Sequence, residues 1–287
     1  MNGIIIVNKS KGYTSHDIVA KVKKITGEKV GHTGTLDPLA TGVLPILIGK
    51  GTLCSKYLMN HDKTYKVLLK LGVKKSTGDE EGEIIQEETV AEEILDERNV
   101  KTVLNSFLGE QMQIPPIYSA IKVKGKKLYE YARKGQKVEI EPRKITIYDI
   151  KLLKINKVSS EVQFEVSCSK GTYIRSLCED IAKKMGTVGY MKELQRTRVG
   201  IFTIEQSVWA EDLTKETIEK YMITIENLFK NLENIELNEK KLQLFLNGVK
   251  LSFDLEEGIY KIYSNQQFIG IGVLKNNLLK RDIIMNE

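Results

Sequence analysis

The chain has 287 residues, of which 41% are hydrophobic and 29% charged, with a formal net charge of +6. That balance describes a globular chain long enough for one large core or two unequal ones, and no apolar run approaches the ~20 residues of a membrane-spanning helix. Cys54, Cys168 and Cys178 form no CxxC, and His16, His32 and His61 are far apart, which argues against a disulfide framework and against a His/Cys metal site.

Ile4 to Val7 reads as an opening strand, too short and too poor in basic residues for a signal peptide, so a cytoplasmic location is expected. Thr14-Ser15 offers an N-cap, with Asp17 in the first turn, for a helix through Ile25 that Gly27 closes. Residues 30–42 hold glycines, threonines and a proline without a period and form a structured loop. A buried strand is expected at Val43–Ile48, a helix at Thr52–Met59 and a strand at Thr64–Val73. Ser76–Glu88 reads as an exposed acidic connection and Ala91–Leu108 as a helix. Ile114 to Tyr118 must be extended, because each of Pro115 and Pro116 restricts its predecessor. Strands fit Ile145–Ile155 and Val162–Cys168, a helix Ile174–Met185, and a strand Arg196–Phe202 leading to Trp209. From Ile235 the texture changes to one short helix, Lys240–Leu246, and short strands with turns at Asp254, Gly258, Asn265 and Gly270.

Charge is unevenly placed. Lys122–Lys144 holds nine Lys/Arg and three Glu, Asp79–Glu97 holds ten acids and no base, and Glu236–Glu287 holds seven of each. A local basic stretch beside Tyr118, Tyr129 and Tyr131 suits a polyanion with stackable bases; a solvated lysine-rich hairpin has the same composition. The Gly31–Gly42 loop lacks the Gly-Lys-Ser/Thr end of a phosphate-binding loop and is not GxGxxG. Its one acid is Asp37. Pro38 biases that residue toward extended backbone, and a carboxylate on such a loop suits either a nucleophile or a turn cap.

The fifteen residues Gly31-His32-Thr33-Gly34-Thr35-Leu36-Asp37-Pro38-Leu39-Ala40-Thr41-Gly42-Val43-Leu44-Pro45 resemble the catalytic motif of TruB-type pseudouridine synthases. Further segments resemble the family in the same order: Asn8-Lys9 with Gly12-Tyr13-Thr14-Ser15, Lys63 to Val67, Pro115 to Lys122, and Cys168 to Leu177. The resemblance spans residues 1–210. The tail is similar, less closely, to the family's small PUA-like RNA-binding domain. Ser10 departs from the proline the family often carries after the lysine.

The resemblance implies an α+β fold: a catalytic domain over 1–234 with a mixed, mainly antiparallel sheet flanked by helices and loops, and a β-rich PUA-like domain over 235–287. It implies isomerisation of uridine 55 in the T-loop of tRNA to pseudouridine. The N-glycosidic bond breaks, the base rotates and rejoins through C5, and neither cofactor nor metal is needed. Asp37 is then the catalytic carboxylate, by attack at C1′, addition at C6, or a glycal route. Arg175 pairs with it, favouring its ionised form. Tyr65 stacks on the uracil, its hydroxyl available near the C5 proton, and Tyr173 and Leu194 line the pocket. A stacked base must be flipped out to react; His32 fills the space it leaves. Lys9 suits a phosphate or pocket contact, and Lys122 belongs to a basic insertion, about residues 120–145, that grips the tRNA stem-loop. A monomer is expected. A non-catalytic RNA-binding module, a nucleotide-binding enzyme, and a relative working with guide proteins on other RNAs are the alternatives. Each residue taken singly also fits an ordinary structural role.

Overall fold

The computed structural model describes residues 1–59, 61–136 and 138–285. Lys137, one of the nine bases in the Lys122–Lys144 stretch, and the last two residues of the tail lie outside the described residues.

Strand β1 (Gly3–Lys9) is buried along its whole length. Its side chains alternate between two cores: Ile5 and Val7 enter the main one, Ile4 and Ile6 a second on the opposite face. Helix α1 (Ser15–Thr26) starts at a Thr14/Asp17 capping box, ends at Gly27 with φ +72°, and buries Ile18 and Val22 in the main core. Strands β2 (Val30–His32) and β3 (Thr41–Ile48) follow, and β3 pairs antiparallel with both β1 and β2. The helix expected over 52–59 is a 3-10 segment, Gly49–Cys54, followed by a single turn, α2 (Ser55–Leu58).

Strand β4 (Lys63–Leu71) runs through the middle of the main sheet. The expected exposed acidic connection is instead partly a hairpin, β5 (Val73–Lys75) with β6 (Ile84–Glu87). Its turn folds back on the protein: the Gly78 carbonyl accepts a hydrogen bond from the Met191 amide at 3.0 Å, and Asp79 is buried. The long helix expected over 91–108 is broken. After a 3-10 turn at Glu92–Leu95, Asp96 adopts extended backbone and caps the Arg98 and Asn99 amides, so α3 (Glu97–Asn105) starts afresh. Strand β7 (Gly109–Gln113) had no apolar alternation to announce it and is an edge strand. Past the prolines come a small hairpin, β8 (Lys122–Val123) with β9 (Lys126–Lys127), and a short helix, α4 (Leu128–Arg133).

Strands β10 (Arg143–Asn156) and β11 (Glu161–Cys168), helix α5 (Ile174–Lys184) and strand β12 (Gly189–Val199) complete the frame. The strand expected at 196–202 therefore begins seven residues earlier, at Gly189. Short pieces follow: β13 (Phe202–Thr203), β14 (Val208–Trp209), β15 (Ile223–Thr224) and α6 (Ile225–Leu228). The main sheet has eleven strands in the order β14-β1-β3-β12-β4-β11-β10-β7, with β13, β15 and β2 as side pairs. It is mixed and mainly antiparallel; only β1 with β14 and β3 with β12 run parallel. At the β3–β12 crossing, Gly42 has φ +102°, and a Cβ there would lie 2.2 Å from the Arg196 carbonyl oxygen. Only glycine lets the two strands meet.

The tail forms a separate five-stranded sheet. Strand β16 (Asn234–Glu236), helix α7 (Glu239–Leu246) and strands β17 (Leu251–Ser252), β18 (Gly258–Ser264), β19 (Gln267–Lys275) and β20 (Leu278–Ile284) take the order β16-β18-β19-β20-β17. Ile271 and Ile283 pack with Ile4, Ile6 and Leu47, so this sheet sits on the face of β1 and β3 opposite α1. Lys50 reaches across to the carbonyls of Ile284 and Met285 at 3.0 and 3.1 Å.

Candidate active site

Between β2 and β3 the chain makes the loop that carries Asp37. Leu36, Leu39 and Ala40 are buried in the main core, and burying each leucine contributes about 2 kcal/mol. The hydroxyl of Ser15 on α1 accepts from the Leu36 amide at 2.8 Å and donates to the Leu36 carbonyl at 3.2 Å. Apolar anchors on both sides thus leave Asp37 facing outward, its side chain 39% exposed.

Lys9 ends β1 wholly buried, its ammonium on the carbonyls of Ser10, Tyr13 and Pro38 at 3.1, 2.7 and 3.2 Å. Burial lowers its pKa to about 8, against the opposing pull of Asp37. The expected phosphate or pocket contact is therefore replaced by a structural one: a fully buried ammonium already engaged by three carbonyls holds the loop beside Asp37, and Lys9 does not line the cavity.

The Asp37 carboxylate opens into a cavity of about 460 Å³. Arg175, in the first turn of α5, contributes one wall. Its Nε lies 3.3 Å from Asp37 Oδ2 and its Nη1 3.5 Å from Asp79 Oδ2. Nη1 also donates to the Thr77 carbonyl at 3.3 Å, and Nη2 to the Tyr118 carbonyl at 2.9 Å. One buried guanidinium is thus shared between two carboxylates and two carbonyls, which fixes its plane. Asp79 is the one buried acid among the described residues. Its Oδ1 accepts from the Thr77 hydroxyl and the Glu81 amide.

Tyr65 floors the cavity. On β4 it shares the face of Val67 and Leu69, and it is 7% exposed. Burial pushes its phenol up to about 12, so it is protonated at neutral pH. Leu194 and Tyr173 also line the cavity. Tyr173 is fixed through its backbone: its amide donates to Gln113 Oε1 at 2.8 Å and its carbonyl accepts from Gln113 Nε2 at 3.0 Å. Tyr118 and Tyr129 of the basic region reach the same cavity.

His32 and Lys122 do not line this cavity. His32 is partly buried at the end of β2, where its Nδ1 accepts from the Gly34 amide at 3.2 Å. Burial, with the positive charges of Arg196 and His16, lowers its pKa and favours a neutral ring. Lys122 is exposed on the small hairpin and borders a separate groove with Lys124 and Arg143.

Sequence reasoning missed Arg196, Asp79 and Lys63. Arg196 is 1% exposed and lines the cavity beside Tyr65, its partner on the neighbouring strand. Alternation along a correctly started β12 puts Leu194 and Arg196 on one face, which is the signal that could have found it. Asp79 was hidden among ten acids read as solvated. Lys63 lines the cavity two residues before Tyr65; its ammonium donates to the His61 carbonyl at 2.6 Å, and burial lowers its pKa.

The cavity thus brings together a carboxylate paired with a guanidinium and a buried phenol on a mixed, mainly antiparallel sheet. Residues 22–174 match the model of the N-terminal domain of TruB family pseudouridylate synthases, and residues 175–244 that of the tRNA pseudouridylate synthase B C-terminal domain. The chain belongs to the TruB family. It is 48% identical over 279 residues to the tRNA pseudouridine synthase B of Clostridium tetani, covering 95% of both chains. The enzyme of the same name from Aquifex aeolicus is 42% identical over 284 residues, covering 97% of this chain and 98% of that one. Among solved structures, the chain resembles one in a Cbf5-Nop10-Gar1 complex, with TM-score 0.68, 27% identity, and coverage of 95% of this chain and 78% of that chain.

Proposed function

We propose that this chain converts uridine 55 in the T-loop of tRNA to pseudouridine, with Asp37 as its catalytic carboxylate. One observation carries this reading: the only acid of the Gly31–Gly42 loop faces a cavity with Arg175 3.3 Å away and Tyr65 beneath. A guanidinium at that distance aims the carboxylate, which each of the three chemical routes requires at the sugar or the base. The base enters flipped out of the stack and lies on the Tyr65 ring, with Leu194 and Tyr173 closing the sides. A phenol kept neutral by burial acts first as a stacking surface and a hydrogen-bond donor. His32, flat and neutral, occupies the space the uridine leaves. Isomerisation exchanges no electrons and no external group, so the reaction calls for neither cofactor nor metal.

The remaining assignments follow from the substrate. The basic region over 120–145 contacts phosphates of the T-arm, Lys122 among them, while shape rather than base edges selects the loop. The chain divides into a catalytic domain, 1–234, and a PUA-like RNA-binding domain, 235–287. It works as a monomer, in the cytoplasm where tRNA is processed. Incubation with an unmodified tRNA transcript, followed by position-by-position mapping, should give pseudouridine at position 55 alone. Product elsewhere, or none, would refute the substrate assignment.

A further inference from the structure

Arg196 is a cation sealed inside the protein, and among the described residues no carboxylate forms an ion pair with it. Such a charge is tolerated only when its donors are saturated. Its Nε donates to the Val43 carbonyl at 2.8 Å, its Nη2 to the Gly34 carbonyl at 3.0 Å, and its Nη1 to the Thr35 carbonyl at 3.5 Å. Gly34 and Thr35 belong to the loop that carries Asp37, and Val43 follows it at the start of β3. On β12, Arg196 is the cross-strand partner of Tyr65 on β4, and both side chains line the same cavity.

We infer that Arg196 is a positioning residue for the isomerisation, holding the Tyr65 phenol in register with the loop that carries Asp37. A single rigid fork then joins the two sides of the reaction site, the carboxylate's loop and the ring beneath the base. Gly42 is part of the same device, since its missing side chain lets the Arg196 backbone come into contact with β3. Lysine cannot reproduce the arrangement, because one ammonium has no planar fork to span three carbonyls beside the phenol. The inference rests on the proposed role of Tyr65 and deepens it.

The test is a double-mutant cycle on tRNA isomerisation under single-turnover conditions, with tRNA affinity and thermal unfolding measured on every variant. The variants are Arg196→Lys, Tyr65→Phe and the pair. Arg196→Lys should lower the catalytic rate by about thirtyfold while tRNA affinity stays within about threefold. In the Tyr65→Phe background the same change should cost less than about threefold, because the phenol it positions is gone. Arg196→Gln repeats the cycle without the charge. A folded Arg196→Lys chain with a near-normal rate overturns the inference, as does an equal loss with and without the phenol. So does a chain that folds with neither substitution, which would make Arg196 a folding element alone. Failure of the underlying reading looks different: Asp37→Asn would still form pseudouridine, or the wild-type product would lie outside the T-loop.

Discussion

The Asp37 loop and the basic hairpin after Tyr118 are built in opposite ways. The loop is held from every side: apolar anchors at Leu36, Leu39 and Ala40, a hydroxyl from Ser15, an ammonium from Lys9 and a guanidinium from Arg196. In the hairpin, β8 and β9 are two residues each and pair only with one another, and α4 buries just Leu128. Among the described residues, its one hydrogen bond to a side chain of the site is that from Arg175 to the Tyr118 carbonyl. The contrast separates two tasks. Chemistry needs a carboxylate held within fractions of an ångström before the substrate arrives, whereas gripping phosphates needs charge at roughly the right place and can be completed by the RNA itself.

Breaking the tightly held side should have the largest effect. Gly42→Ala forces a side chain against the Arg196 carbonyl at a positive φ, and should destabilise the chain by about 3 kcal/mol or more in urea unfolding. Next comes Arg175→Lys, which keeps the charge but loses the fork shared between Asp37 and Asp79. We expect the single-turnover rate to fall on the order of a hundredfold, with tRNA binding measured by filter retention nearly unchanged. On the loosely held side, replacing Lys122, Lys124 or Lys126 by alanine should act on binding alone. Each phosphate left without its lysine should reduce the slope of log affinity against log salt by about one, with the rate at saturating tRNA preserved. A rate that falls with these lysines would erase the distinction between the regions.

The smallest effect concerns His32. Its folded pKa lies below the usual 6.5, mainly through burial. As pH falls through 6.5 the unfolded chain takes up the proton first, so the folded state loses stability in that window. His32→Gln should therefore lose less stability than the wild type on acidification from pH 7, as read by thermal unfolding.

The parts legible in the sequence were those with local signals. The Thr14/Asp17 capping box, the Gly27 stop, and the strands β10 and β11 with alternating burial all carry their structure in neighbouring residues. Asp37, Arg175, Tyr65, Leu194 and Tyr173 came from motif resemblance, and they share one cavity. What stayed hidden depended on distant contacts. Asp79 is buried only because its turn docks on Met191, and Lys9 is buried only because three carbonyls converge on it. Gln113 looks like any polar edge residue until Tyr173 is seen beside it. Asp96 in its capping conformation broke a helix whose apolar period continued through it.

The central claim is that the Asp37 carboxylate, and not the RNA-binding surface, performs the isomerisation. Asp37→Asn keeps the shape of the side chain and removes its charge. Measured on unmodified tRNA, this variant should bind with wild-type affinity yet form pseudouridine at least about a thousandfold more slowly. Pseudouridine forming at position 55 at an undiminished rate would contradict the account.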